Sequence, residues 1–352
     1  MARVRRVVGR WITPGLRVRM AGALVLIVVF PIAFVVALEW ALGTIVPAVT
    51  MAITGTTVPV DVVVDRRLLV VAVLGGLLAQ YTAGDRLALR SVDARRVDEK
   101  THPELHARVR RLAQQADLPV PDVAVIDSAA PNAFATGRTP QTATVVVTEG
   151  LCTRLEEDEL DAVIAHELAH VSNRDVALMT VAYLLPTMTY LVATSSYTIL
   201  RTVFDSFRYL RTSHDSDGRA VAAVVVTIVV TTIVTVAIAT LFWIASFLLY
   251  RILGQYREFT ADRGAAELTG DPAALASALE TIDEGLTETP DRDLRKLDGG
   301  VEALYISSLD FAAFTEDGDD GLLSHDLFPE THPPTEARIA QLKELTAEAH
   351  TT

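Results

Sequence analysis

A chain of 352 residues that is 50% hydrophobic, with several apolar runs that approach or exceed bilayer length, is a membrane protein carrying a soluble part. Its one cysteine, Cys152, excludes an intrachain disulfide and any four-cysteine zinc module. The formal net charge of −13, with no basic stripe outside the N-terminal arm, gives nucleic-acid binding no support.

Residues 1–20 carry six arginines and no acid, and the apolar run 21–43 follows. That run is longer than the apolar part of a signal peptide and has no small-residue cleavage site. It predicts a first transmembrane helix, interrupted by Pro31 and Glu39, with the arginines held in the cytoplasm. Residues 44–67 contain Gly, Pro and Thr and predict a short external connection. Residues 68–83 form a second apolar run, a marginal span at 16 residues. Arg86, Arg90, Arg95, Arg96 and Lys100 then mark the cytoplasmic side again.

From 84 to 175 the composition is that of a soluble domain. The pattern predicts a helix over 103–116, with Leu105, Val109 and Leu112 on one face, and strands over 123–127 and 143–148. Thr153 followed by Glu156 predicts a capping box, and the acids at 156–159 favour a helix N-terminus. Leu160, Val163, Ile164, Leu168 and Val171 recur at helical spacing, so the segment reads as an amphipathic helix with one buried face. Runs 176–200 and 220–250 predict two more transmembrane helices joined by the polar stretch 201–219, with buried core helices as the alternative. Beyond Arg251 the sequence predicts a helix opening at Arg257 and continuing through Glu267, and another over 273–282 capped by Asp271-Pro272. A loop-dominated stretch, 284–330, and a last helix through Arg338 and Leu345 complete the chain. This final part, 251–352, holds 22 acids against eight bases, and the whole chain has three lysines against 28 arginines. Such a surface suits work in high salt, although genome composition also produces arginine bias.

The chemistry gathers on the helix that runs up from Thr153 to Val171. His166 and His170 sit one turn apart on one side of it, a spacing at which two imidazoles grip one tetrahedral zinc, and Glu167 beside them can reach water at the metal. The alternative is a helix whose histidines only pack or hydrogen-bond. A catalytic zinc needs three protein ligands and an open position. Glu258 is the best-placed third ligand, its alternative being a solvated helix-surface carboxylate. Asp262, one turn further on, can accept the Nδ1–H of a zinc-bound histidine.

Four ordered pieces carry a family resemblance: Pro131-Asn-Ala-Phe-Ala-Thr-Gly-Arg138, Val163-Ile-Ala-His-Glu-Leu-Ala-His-Val171 followed by Asn173 and Asp175, Arg257-Glu-Phe-Thr-Ala-Asp-Arg263, and Thr331-His-Pro-Pro-Thr-Glu-Ala-Arg338. The sequence resembles the HtpX-type integral-membrane zinc metallopeptidases, relatives of the CAAX prenyl endopeptidases within the thermolysin-like gluzincins. The resemblance implies one zinc per chain on His166, His170 and Glu258, with Glu167 as general base. It implies that Asn132, Ala133, Phe134, Ala135 and Thr136 lie on an edge strand that pairs with an extended substrate. It also implies that His332 and Arg338 face the scissile carbonyl and stabilise its oxyanion. For these two the alternatives stay open: His332 anchors a turn before two prolines, and Arg338 pairs with an acid. Residue 169 is Ala where many relatives have Gly.

The expected fold is mainly α with a small β-sheet: four transmembrane helices plus a thermolysin-like zinc metallopeptidase domain split by the third and fourth. The corresponding parts are 1–83, 84–175, 176–250 and 251–352. Residues 166–170 and 258 must meet at one ion, so 176–250 acts as a hairpin returning to its starting side. Arginine placement makes that side the cytoplasm, with the four arginines of 201–219 pulling against it. The expected function is a cell-membrane, multi-pass endopeptidase, N-terminus and peptidase domain cytoplasmic, that cleaves damaged or misfolded membrane proteins. One alternative is a processing enzyme for a specific substrate such as a prenylated C-terminus, which four spans argue against. The other is an inactive binding protein on the same scaffold, which the intact His166, Glu167, His170 and Glu258 set argues against.

Overall fold

The computed structural model describes residues 14–55, 75, 89–90, 92–175, 179, 189, 192, 218–288 and 333–351. In chain order its elements are α1 (Pro14–Thr54), β1 (Arg95–Arg96), α2 (Pro103–Gln115), β2 (Asp122–Ile126), β3 (Ala133–Thr136), β4 (Thr144–Thr148), α3 (Glu149–Arg154), α4 (Glu157–Asn173), α5 (Gly218–Thr269), α6 (Pro272–Glu288) and α7 (Thr335–Thr351). The chain forms two compact units, one of residues 1–20, 81–180 and 250–352, the other of residues 21–80 and 181–249.

The first unit is built on a mixed four-stranded sheet of order β1-β2-β4-β3, in which β2 and β4 are parallel and the outer pairs antiparallel. The strands are rich in β-branched residues and buried on both faces, so they read as continuous apolar runs. Val123, Val125, Val145 and Val147 face a core shared with Leu105, Val109 and Leu112 of α2, Ala162 to Ala165 of α4, and Leu275, Leu279 and Ile282 of α6. The opposite face holds Ala124, Ile126, Phe134 and Val146 against Val92 and Ala130. Gly137 (φ 118°) turns the chain out of β3 at a point where an added Cβ would meet Thr142 O at 2.5 Å.

Several sequence expectations change. The helix expected to bury one face is buried all round from Ala162 to Val171, because the sheet, α2 and α6 close on it from different sides. Thr153 does not cap it. Thr153 lies inside α3, where its hydroxyl donates to Glu149 O at 3.0 Å, and the box belongs to Glu156 and Glu159 one turn later. No helix opens at Arg257: α5 runs unbroken from Gly218, since nothing between Arg251 and Arg257 caps or breaks it. Residues 44–54, expected in a connection, are the last turns of α1, which passes through Pro31 and Pro47. Asp271 Oδ1 does cap α6, accepting from the Ala273 and Ala274 amides, but the helix continues to Glu288 into the stretch expected to be loop. Runs 68–83 and 176–200, apart from single residues, and His332 lie outside the described residues.

In the second unit, Phe30 and Phe34 of α1 meet Phe242 of α5 with ring centroids at 5.1 and 5.3 Å, while Thr227 Oγ1 lies 3.3 Å from Thr50 Oγ1. These contacts pair the two helices antiparallel. Both are long and apolar enough to cross a membrane, and only 22% and 28% of their apolar windows are buried, which sets them apart from soluble core helices.

Candidate metal centre

Helix α4 ends at Arg174, which takes the left-handed conformation (φ 58°, ψ 35°). For a residue with a side chain this costs about 1 kcal/mol. The turn swings Asp175 back beneath the helix, where its Oδ2 lies 2.7 Å from His170 Nδ1. On the other side, Asp262 Oδ1 of α5 lies 2.9 Å from His166 Nδ1. Each histidine thus turns one ring nitrogen to an acid, in a hydrogen bond for His170 and at ion-pair distance without an aligned hydrogen bond for His166, and presents the other.

The two presented Nε2 atoms are 3.1 Å apart. Glu258 closes the triangle, with Oε2 at 3.3 Å from His166 Nε2 and Oε1 at 3.5 Å from His170 Nε2. One donor atom from each of the three residues lies within 4.8 Å of the others, and all three residues are buried. Arg338 donates from Nε and Nη2 to the two oxygens of Asp262, at 2.9 and 2.6 Å, and its Nη1 is 3.6 Å from Glu258 Oε2. Arg257 places Nε 3.6 Å from Asp175 Oδ2 and Nη2 3.5 Å from Glu258 Oε1.

The residues fit a divalent ion on three grounds. Two imidazoles and a carboxylate are a zinc-type donor set. Among the described residues, Glu167, Asp175, Glu258 and Asp262 are buried carboxyls against two buried guanidiniums, an excess of acid that without a metal is met by protons, as on His170, and that a divalent ion would meet in their place. Finally, Glu167 is 1% exposed, and neither of its oxygens accepts a hydrogen bond among the described residues. Burial pushes the Glu167 carboxyl above the usual range. Burial opposes the charge on His170, yet Glu258 and Asp175 together push its imidazole up to about 9.

Of the residues singled out from sequence, His166, Glu167, His170, Glu258, Asp262 and Arg338 converge here. Asn132 to Thr136 lie on or beside β3, at one edge of the sheet, with exposures of 0–2%. The sequence reading did not assign roles to Asp175 and Arg257. Their signals were an acid five residues past His170 and a base directly before Glu258.

Residues 99–346 match the family described as Peptidase family M48. The chain is similar to Protease HtpX homolog 2 of Methanosarcina mazei, 39% identical over 77% of this chain and 82% of that one. It is also similar to Protease HtpX homolog 1 of Streptomyces coelicolor, 41% identical over 77% and 80% of the two chains. The crystal structure of S. mikatae Ste24p is similar at 17% identity with a TM-score of 0.47, over 90% of this chain and 67% of that chain.

Proposed function

The chain belongs to peptidase family M48 and is a membrane metalloprotease, and we propose that it is a zinc-dependent endopeptidase acting on damaged or misfolded membrane proteins. The observation that carries this reading is the buried His166–His170–Glu258 triangle with the Glu167 carboxylate beside it.

When bound, zinc supplies a Lewis acid that polarises the scissile carbonyl and lets water attack at neutral pH. His166, His170 and Glu258 would hold the ion, and Asp262 and Asp175 would keep the two imidazoles in the ligating tautomer. Glu167 takes the proton of the attacking water and passes it to the leaving amine nitrogen. Arg338, with His332, neutralises charge developing on the substrate oxygen.

The substrate strand is β3. Just before the ladder, Thr148 N–H donates to Asn132 O at 3.0 Å while Asn132 N–H donates to Thr148 Oγ1 at 2.9 Å, so at this position the bonding groups of the chain face β4. By alternation Phe134 and Thr136 also bond β4, and Ala133 and Ala135 turn their backbone groups to the outer edge. An extended peptide that adds there as a further strand has to displace what covers this edge, since Asn132 to Thr136 are 2% exposed or less.

In the membrane, α1, the apolar part of α5 and the runs 68–83 and 176–200 make four spans, with the N-terminus and the peptidase unit in the cytoplasm. Cysteines placed near residues 95 and 210 in a Cys152→Ser background then label from opposite sides, and labelling from one side overturns this topology.

The test of the function is cleavage of a fluorogenic peptide and a panel of membrane proteins by purified enzyme. Activity disappears with a chelator and returns with zinc, and Glu167→Gln keeps the metal while losing roughly 10²- to 10⁴-fold in turnover. Cleavage that survives complete metal removal overturns the proposal.

A further inference from the structure

Arg257 is 5% exposed, and its Nε and Nη1 make no hydrogen bond among the described residues. A buried guanidinium with two nitrogens lacking hydrogen bonds is costly unless its charge is compensated. Both of its ion pairs are with carboxylates of the metal centre: Asp175, which orients His170, and Glu258, the third ligand. Arg338 occupies the matching place on the other side, linking Asp262, which faces His166, to the other oxygen of Glu258. The two arms differ in contact. Arg338 grips its acid with two hydrogen bonds, whereas Arg257 stands 3.5 and 3.6 Å from its partners and acts as a charge between them.

We infer that Arg257 is a positioning residue for the metal: it holds the Asp175 and Glu258 carboxylates in place and thereby fixes two of the three ligands, His170 and Glu258. The inference rests on the proposed metal site and adds to it a residue that touches neither ion nor substrate. Two effects of the charge have opposite sign. A cation acting directly on the ion through space weakens metal binding, so removing it tightens binding. A cation acting through the two carboxylates has the reverse effect. The second prevails, because among the described residues both ion pairs of Arg257 are with carboxylates that serve the donor triangle, and their negative charge offsets its own.

The experiment measures zinc affinity by competition with a chromophoric chelator, and the visible spectrum of the cobalt-substituted protein, in Arg257→Met and Arg257→Lys. Loss of a group that supports metal ligands costs roughly 10- to 100-fold in affinity, and that loss is expected for Arg257→Met together with an altered cobalt spectrum. Arg257→Lys keeps the charge and is expected to stay within about threefold of the parent, since no fork geometry is in use. In an Asp175→Asn background the Met substitution costs less than in the parent, because one of its two targets is gone. Unchanged or tighter zinc binding in Arg257→Met overturns the inference, as does a loss in Arg257→Lys equal to that in Arg257→Met. If Arg257→Met fails to fold, Arg257→Gln takes its place. If neither folds, a more than tenfold loss in Arg257→Lys overturns the inference, and near-parent affinity and spectrum support it. Glu258→Ala is the control for the underlying site: zinc retained there refutes the metal centre itself, whereas zinc lost there and kept in Arg257→Met refutes only the role of Arg257.

Discussion

Arg338 and Asp262 form a bidentate pair at the floor of the metal centre, with Nε 2.9 Å from Oδ2 and Nη2 2.6 Å from Oδ1, both side chains 2% exposed or less. Burial works against the Arg338 charge, but Asp262 and then Glu258 hold its pKa above the ordinary value. Of the two alternatives for this arginine, the partner of an acid is what its Nε and Nη2 show at Asp262, and the oxyanion donor is a proposal.

Arg338→Lys separates the two roles. Lysine keeps the charge but cannot bridge both oxygens of Asp262. If the fork matters through Asp262 and His166, zinc affinity falls roughly tenfold, the low end of what such supporting contacts contribute. A fall in kcat of roughly a hundredfold or more with zinc affinity intact assigns the residue to the oxyanion alone. Chelator competition and steady-state kinetics on the same preparation decide between them.

Glu258→Ala is expected to abolish stoichiometric zinc binding, while Glu267→Ala is silent. Both residues lie on α5, but Glu258 is 1% exposed within the donor triangle and Glu267 is on the exposed side. Metal analysis showing equal occupancy in the two variants means the third ligand has been misassigned.

The site was more legible in the sequence than the elements that carry it. His166, His170 and Glu258 are chemically distinctive, and their spacing survives any error in helix boundaries. Boundaries are set by packing instead: α5 absorbs the helix expected at Arg257 because helical continuity from Gly218 needs no local signal. Likewise the burial of α4 on all sides follows from the elements that surround it, which no periodicity within 157–173 reveals. Asp175 escaped assignment because its approach to His170 depends on the left-handed Arg174, a conformation that a non-glycine residue does not advertise.

Cys152 is expected to be inert in the folded protein. Burial, and after it the nearby Glu149, push its thiol up to about 11. A raised pKa leaves the neutral thiol dominant, so at pH 8 about one molecule in a thousand carries the reactive thiolate. Iodoacetamide at pH 8 should therefore modify the denatured chain in minutes and leave the native chain unmodified over the same period. Rapid native alkylation counts against the packing of this half-buried side chain of α3 against the core.

The edge strand supplies the last test. Asn132 Oδ1 accepts the Ala133 amide at 2.9 Å, which occupies the first outward donor of β3. Ala135 then provides the next outward N–H for a peptide lying alongside. Proline removes that donor, and an edge position whose N–H points away from the ladder is where a strand tolerates proline. Ala135 packs against Ala143 and Val171, so the added ring atoms meet small or β-branched neighbours rather than another large side chain. Ala135→Pro is accordingly expected to fold and to bind zinc as the parent does. One hydrogen bond to substrate is worth about 1 kcal/mol, so KM for a fluorogenic peptide should rise roughly five- to tenfold with kcat little changed. If the proline variant does not fold, the pairing is probed from the other side, by a peptide substrate carrying an ester in place of a single backbone amide at successive positions, which removes a substrate N–H that would donate to an outward carbonyl of β3. A KM indifferent to both changes removes β3 from the substrate-binding role and leaves it as structure alone.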